Sequence, residues 1–143
     1  MHIAVDFDDT LITSTASWET VFPPVLAWIP GAREGLLALQ RAGHVLVLYS
    51  ARANRASRFN PDLDPLLPSM TDEQRRELQV RSEALYRQMV GFVAREVPGV
   101  FAYVDEGAQG KPRVDLFIDD RAVQVSGQYS WASIVRRYGE SAQ

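Results

Sequence analysis

The stretch PGAREGLLALQRAGHVLVLYS, residues 30 to 50, contains the two elements that decide the fold. Its first half carries three leucines and stops at Gly43, a residue type that commonly ends helices. Its second half, residues 44 to 50, is an apolar run that ends in Ser50. Such runs are typical of strands that a parallel sheet buries on both faces. We therefore predict a helix followed by a buried strand.

Further strands are predicted on either side of this stretch. Residues 2 to 6 form a short apolar run, and residues 100 to 106 read as another strand. The segment VDLFIDD, residues 114 to 120, is again apolar and ends in two carboxylates. Together with residues 44 to 50, these segments predict four strands.

Two further helices are predicted between and after these strands. Thr71 and Gln74 fit a capping box that starts a helix ending near Glu96, before a proline. A final helix is predicted over residues 131 to 138, with Ser130 as its N-cap. The longer helix carries one apolar stripe, formed by Leu78, Leu85, Met89, Phe92 and Val93.

The alternation of strands and helices predicts an α/β fold. We expect a doubly wound, mainly parallel, Rossmann-like sheet with helices on both faces. The 143 residues are predicted to form a single domain, residues 1 to 143, because no composition shift marks a boundary. Residues 53 to 70, which are rich in proline toward their end, are expected to leave the sheet as a surface excursion.

Composition and charge exclude several classes of function. The chain is 46% hydrophobic and 23% charged, with a net charge of -3, which argues against general binding to nucleic acid or anionic membrane. It has no cysteine and two histidines, so a thiolate nucleophile, a disulfide and a His-rich metal site are not expected. No apolar run approaches a membrane span, and no signal peptide is recognised, so we expect a cytoplasmic protein.

Polar residues follow the predicted strands where parallel strands place ligands. Asp6 and Asp8 end the first strand, Ser50 ends the second, and Asp119 and Asp120 end the fourth. If these strands are neighbours, the carboxylates converge, and a hard cation would resolve their repulsion. We therefore predict a Mg²⁺ site with room for a phosphate. The predicted polar set is completed by Thr10 and Lys111.

These residues resemble the motifs of the haloacid dehalogenase-like (HAD) superfamily, whose members are mostly phosphatases. DFDDT at residues 6 to 10 is similar to its first motif, and VLYS at residues 47 to 50 to its second. Lys111 matches the third motif and FIDD at residues 117 to 120 the fourth. The resemblance covers residues 2 to 125 and implies a short member without a large cap domain. Asp9 stands where the family more often has glycine, with aspartate a frequent alternative.

The resemblance implies a role for each of these residues. Asp6 would be the nucleophile that forms an aspartyl-phosphate, and Asp8 the general acid and base. Asp6, Asp119, Asp120 and the backbone carbonyl of Asp8 would bind Mg²⁺. Ser50 and Lys111 would stabilise the transferred phosphoryl group, and Thr10 would lie beside the substrate and brace the loop.

Arg52, Arg55 and Arg58 follow the second motif at intervals of three residues. Two interpretations remain open. These arginines form either a solvated face or a second anion site for a substrate with a distal charged group, and Arg52 is the first candidate for that contact.

Two classes of function are compatible with the sequence. The first is a magnesium-dependent phosphatase that hydrolyses a phosphate monoester, most simply a small molecule, with a protein or a nucleic-acid end as the larger options. The second is a non-catalytic module with the same fold that binds a phosphorylated ligand or protein partner. An oligomer is compatible with either class.

Overall fold

The computed structural model describes residues 1 to 13, 26 to 53, 69 to 106, 112 to 120 and 130 to 139. The elements in chain order are β1 (His2–Val5), β2 (Ile12–Thr13), β3 (Ala27–Trp28), α1 (Ala32–Arg41), β4 (Val45–Tyr49), α2 (Asp72–Glu96), β5 (Phe101–Asp105), β6 (Leu116–Ile118) and α3 (Trp131–Tyr138). The predicted α/β class is confirmed, with four parallel strands and three helices among the described residues.

The helix ends follow the capping signals of the sequence. The hydroxyl of Thr71 accepts a hydrogen bond from the amide of Gln74 at 3.2 Å, and the side chain of Gln74 accepts from the amide of Thr71 at 2.9 Å. This capping box confirms the predicted start of α2. The hydroxyl of Ser130 accepts from the amide of Ser133 at 3.3 Å, which confirms the predicted N-cap of α3.

The four-stranded sheet has the order β5-β4-β1-β6, and every pairing is parallel. The chain runs outward from β1 to β4 and β5, and then returns to the other side of β1 to form β6. The strand order therefore reverses at β1. Ligand sites in open α/β sheets lie beyond the carboxyl ends of strands at such a reversal. This arrangement confirms that the strands ending at Asp6, Ser50 and Asp119 are neighbours.

One apolar cluster packs against one face of the sheet. In the parallel register, Ile3 pairs with Leu46 and Val5 pairs with Leu48 and Ile118, and all five side chains are buried in one apolar cluster. The buried apolar side chains of all three helices belong to the same cluster. The described residues therefore do not show helices on both faces, and the doubly wound arrangement stays a prediction.

Helices α1 and α3 pack closely against each other. The indole of Trp131, the first residue of α3, covers Gly35 of α1, where a Cβ atom would lie 2.4 Å from Cε3 of the ring. Both residues are buried. Glycine is thus required at this position because the close approach leaves no space for a side chain.

The buried apolar residues of helix α2 lie in its C-terminal half. Met89, Phe92 and Val93 lie in the core, whereas Leu78 is half-buried and Val80 is 70% exposed. The predicted apolar stripe is therefore shorter than the sequence pattern. No helix among the described residues is long and apolar enough to cross a bilayer.

A small antiparallel pair, β2 with β3, was not predicted from the sequence. It pairs Ile12 with Trp28 and Thr13 with Ala27. The indole of Trp28 lies against the ring of Phe92 with centroids 5.0 Å apart. The pair therefore ties the loop after β1 to α2, beside the carboxyl end of the sheet.

Candidate functional site

A tight loop follows β1 and holds the aspartates of the first motif. The amides of Leu11 and Ile12 both donate to the carbonyl oxygen of Phe7, at 3.0 and 3.1 Å. Asp9 has a φ of 57°, a left-handed conformation that glycine adopts freely and that aspartate tolerates better than most residues. The backbone at this position is therefore one that both glycine and aspartate can adopt. The loop turns the chain immediately after Asp6 and Asp8.

Three carboxylates meet where β1 and β6 end. The amide of Asp6 donates to the carbonyl oxygen of Ile118 at 2.9 Å, so the two strand ends are joined one residue beyond their last pair. Carboxylate oxygens of Asp6, Asp119 and Asp120 all lie within 4.8 Å of one another, and the three residues are half-buried. The structure therefore brings together three of the four aspartates that the sequence predicts as metal ligands.

Asp6 carries the electrostatic cost of this cluster. All causes together raise its pKa from 3.8 to about 7, with burial the largest and the charges of Asp119, Asp8 and Asp120 acting in the same direction. A backbone hydrogen bond from Phe7 acts in the opposite direction. A carboxyl group in these surroundings is held back from ionising, and a positive charge among the three carboxylates would reverse that effect.

The carboxylate cluster fits a hard divalent cation. Its donors are all oxygen atoms, and Mg²⁺ binds oxygen ligands at about 2.0–2.1 Å, so carboxylate oxygens this close together can share one ion. Burial and the neighbouring carboxylates raise the pKa of Asp6, and a bound cation would favour its ionised form against both effects. The residues present are therefore suited to the predicted Mg²⁺.

The second motif forms a turn directly after β4. The amide of Ala53 donates to the carbonyl oxygen of Ser50 at 2.9 Å, and the amide of Arg52 donates to the Ser50 hydroxyl at 3.2 Å. Val5, the last residue of β1, pairs with Leu48 of β4 in the parallel register. Ser50 follows β4 directly and therefore lies beside the loop that follows β1. Ser50 is buried, and its hydroxyl serves the turn.

Arg52 forms a bidentate ion pair with Asp8. Its Nε donates to one carboxylate oxygen of Asp8 at 2.7 Å, and its Nη2 donates to the other at 2.6 Å. The Nη1 of Arg52 donates to Oε1 of Gln88 at 3.1 Å and to the carbonyl oxygen of Leu85 at 3.4 Å. The guanidinium also lies 5.1 Å from the ring centroid of Phe7. Arg52 therefore joins the first motif to α2.

This geometry bears on the predicted substrate contact of Arg52. Its side chain is 4% exposed, and each of its three guanidinium nitrogens donates within the protein. A distal anion on a substrate would have to displace Asp8 or Gln88 from it. The structure therefore favours a role for Arg52 inside the site over a distal anion contact.

Thr10 is also placed inside the protein. It is fully buried, and its carbonyl oxygen accepts a hydrogen bond from Nε1 of Trp131 at 3.1 Å. Its hydroxyl has no hydrogen-bond partner among the described residues. Complete burial speaks against a substrate contact and favours the predicted bracing of the loop, here through α3.

The predicted site residues therefore fall into distinct groups. Asp6, Asp119 and Asp120 form the carboxylate cluster. The carboxylate of Asp8 instead faces Arg52. Any bond from Asp8 to a metal would therefore come from its backbone carbonyl, as the resemblance implies. The predictions that lie outside the described residues concern Lys111, Arg55, Arg58 and most of the segment 53 to 70 that was expected to leave the sheet.

Sequence reasoning missed Gln88. The sequence offers no signal for it, because a glutamine in a long polar helix is indistinguishable from a solvated surface residue. Gln88 also lines a cavity of about 580 Å³ between β3 and α2, together with Trp28 and Phe92. None of the site's aspartates belongs to the described lining of this cavity.

Comparisons with known proteins found no match: no protein-family model, curated protein or solved structure matches the chain. The HAD resemblance therefore rests on the motif residues alone, and the roles that it implies remain proposals.

Proposed function

We propose that this protein is a magnesium-dependent phosphatase that hydrolyses a phosphate monoester through an aspartyl-phosphate on Asp6. The observation that carries the proposal is the carboxylate cluster of Asp6, Asp119 and Asp120 at the reversal of strand order, with Asp8 two residues further along the chain. A half-buried carboxylate whose pKa is raised to about 7 makes the empty cluster costly to ionise, and a bound cation would offset that cost.

The proposed reaction has two halves, and Asp6 and Asp8 act in both. In the first half, a carboxylate oxygen of Asp6 attacks phosphorus, and the bond from phosphorus to the leaving oxygen breaks. Asp8 gives a proton to that oxygen, so a neutral alcohol leaves. In the second half, Asp8 takes a proton from a water molecule whose oxygen attacks phosphorus. Inorganic phosphate is released, and the carboxylate of Asp6 is restored.

The remaining residues would hold the charges in place. Asp6, Asp119 and Asp120 would bind Mg²⁺, which supplies positive charge against the phosphoryl oxygens when bound. Ser50 and Lys111 would bind the other phosphoryl oxygens, as the resemblance implies. We propose a small-molecule phosphate ester as the simplest substrate, with a phosphorylated protein or nucleic-acid end as the larger alternatives.

Turnover of p-nitrophenyl phosphate with and without Mg²⁺ tests this proposal. We expect phosphate release that requires Mg²⁺ and is abolished in Asp6→Asn. The matched control is Asp9→Asn, because Asp9 lies in the same loop, is exposed, and has a left-handed backbone that asparagine also tolerates. Activity of Asp6→Asn within a few-fold of wild type would reject the covalent mechanism. If the wild type is active, a comparison of phosphate release from nucleotides, sugar phosphates and phosphopeptides would identify the substrate class.

A second candidate function is favoured by the pairing of Asp8 with Arg52. Both oxygens of the Asp8 carboxylate accept hydrogen bonds from a buried guanidinium, which suits a fixed structural ion pair as well as a proton donor. The alternative is a non-catalytic module that binds a phosphorylated ligand. Calorimetric binding of inorganic phosphate that requires Mg²⁺, with no release of phosphate from any ester, would support this alternative.

A further inference from the structure

We propose that Arg52 and Gln88 are positioning residues that orient Asp8, so that helix α2 sets the direction of the general acid. This inference deepens the proposed function and rests on it. The chain of contacts runs from Oε1 of Gln88 to Nη1 of Arg52, and from Nε and Nη2 of Arg52 to the two oxygens of Asp8.

The bidentate contact fixes the direction of the Asp8 carboxylate. Two parallel N–H···O bonds of 2.6 and 2.7 Å hold the carboxylate in the plane of the guanidinium, whereas a single bond would leave it free to rotate. Asp8 is 34% exposed and Arg52 is 4% exposed. The carboxylate therefore remains open to a substrate on one side and is held by a buried group on the other.

Arg52 in turn depends on α2 for its own position. An arginine side chain has several rotatable bonds, and a guanidinium that is not held on its far side samples many positions. Here Nη1 contacts Gln88 and the carbonyl oxygen of Leu85, one turn apart on α2. The ring of Phe7 lies against the same guanidinium. Helix α2 is long and has its own capping box, so it holds the groups that contact Arg52 in fixed positions.

The same contacts suggest how Asp8 would act. To act as an acid, Asp8 frees one of its two oxygens from Arg52, and that oxygen first takes a proton from solvent. It then passes this proton to the leaving oxygen while the other oxygen keeps its hydrogen bond to Arg52. Arg52 then guides the carboxyl group as it turns toward the substrate. Such a residue influences the acid step without touching the substrate, which distinguishes this role from a distal anion contact.

A pair of matched substrates separates these roles. Phenyl phosphate and p-nitrophenyl phosphate have the same charge and similar shape, but phenolate is the more basic leaving group and needs the proton more. We expect Gln88→Leu to lower kcat for phenyl phosphate by about tenfold while kcat for p-nitrophenyl phosphate and both KM values change little, because general acids contribute about 10²–10⁴-fold and misorientation removes part of that. The control is Gln79→Leu, the same change on an exposed part of α2.

A double-variant comparison adds a readout that a merely structural role would not give. If Gln88 acts through Asp8, Gln88→Leu should cause no further loss on phenyl phosphate in an Asp8→Asn background. Arg52→Lys, which keeps the charge but loses the bidentate fork, should resemble Gln88→Leu. These variants avoid Arg52→Ala, which would leave Asp8 without its partner and could fail to fold.

The possible outcomes distinguish the two proposals. No turnover in the wild type with any phosphate ester would reject the phosphatase, and the positioning role with it. Turnover with equal losses on both substrates, or additive losses in the double variant, would reject the positioning role and leave the phosphatase standing. A loss confined to KM would instead place Gln88 in contact with the substrate, which also overturns the inference.

Discussion

The charge of Asp6 should make the metal-free protein less stable as the pH rises. In the unfolded chain this carboxyl ionises near its ordinary pKa of 3.8, whereas burial and the neighbouring aspartates hold the folded pKa at about 7. Between these values the folded state binds more protons than the unfolded state, so the free energy of unfolding falls with rising pH. Above pH 7 both states are ionised and the decline stops. Asp6→Asn removes the titrating group and should remove this decline.

The size of the effect follows from the two pKa values. At 1.36 kcal/mol per pH unit, the raised pKa of Asp6 lowers the free energy of unfolding, relative to its value at acid pH, by about 2 kcal/mol at pH 5 and about 4 kcal/mol at pH 8. The difference between these two pH values is about 2–3 kcal/mol. Because 1 kcal/mol shifts the Tm of a domain of this size by about 2–4 °C, Asp6→Asn should gain about 4–12 °C over wild type between pH 5 and pH 8.

Thermal unfolding in the presence of EDTA is the direct assay. Wild type and Asp6→Asn are each measured at pH 5 and at pH 8, and the difference between them cancels the titrating groups that do not interact with Asp6. Asp9→Asn, an exposed aspartate of the same loop, should follow the wild type. A difference between Asp6→Asn and wild type that is the same at both pH values would show that Asp6 is not held in an unfavourable charged state, and would refute the electrostatic argument for a cation.

Three other perturbations test separate parts of the structure. Mg²⁺ should raise the Tm of the wild type, since a ligand that binds only the folded state stabilises it, and Asp119→Ala should lose most of that shift; an unchanged shift would exclude Asp119 as a ligand. Asp8→Asn should lose far more rate on an alkyl phosphate than on p-nitrophenyl phosphate, and should cost about 1–3 kcal/mol in urea unfolding because Arg52 loses a charged partner; equal rate losses would reject Asp8 as the acid. Gly35→Ala should cost about 1–3 kcal/mol in urea unfolding, because its methyl group would enter the ring of Trp131; wild-type stability would show that the α1–α3 contact yields easily.

The helices and strands were predictable where local signals act. Thr71 with Gln74, and Ser130 with the amide of Ser133, are short-range capping contacts that a sequence motif records directly. The strands β1 and β4 are buried in the sheet centre, so their apolar runs are unbroken. The β2–β3 pair was not predicted, because strands of two residues are too short to show an alternation of apolar and polar residues. Its partners Ile12 and Trp28 are also far apart in the sequence.

The site was predictable to the extent that backbone topology determines it. Parallel strands place their carboxyl ends at one edge, so Asp6 and Asp119 could be expected together from the sequence pattern alone. The partner of Asp8 could not be expected. Arg52 lies 44 residues further along the chain, and whether it faces outward or inward depends on side-chain packing. Its position is set by Gln88, Leu85 and Phe7, which no motif connects to it.

The Asp8–Arg52 pair links the stability of the fold to the proposed chemistry. A guanidinium that is 4% exposed needs a negative partner, because desolvating an unpaired charge costs more than most single contacts return. Asp8 is a carboxylate that meets this need, and it is also the residue that the resemblance assigns to proton transfer. If the pair were purely structural, both oxygens of Asp8 would be best enclosed with Arg52. Instead Asp8 remains 34% exposed beside a cluster of carboxylates, with Arg52 behind it. An ion pair that is buried on one side and open on the other is the arrangement expected of an acid that is held in place while it reacts.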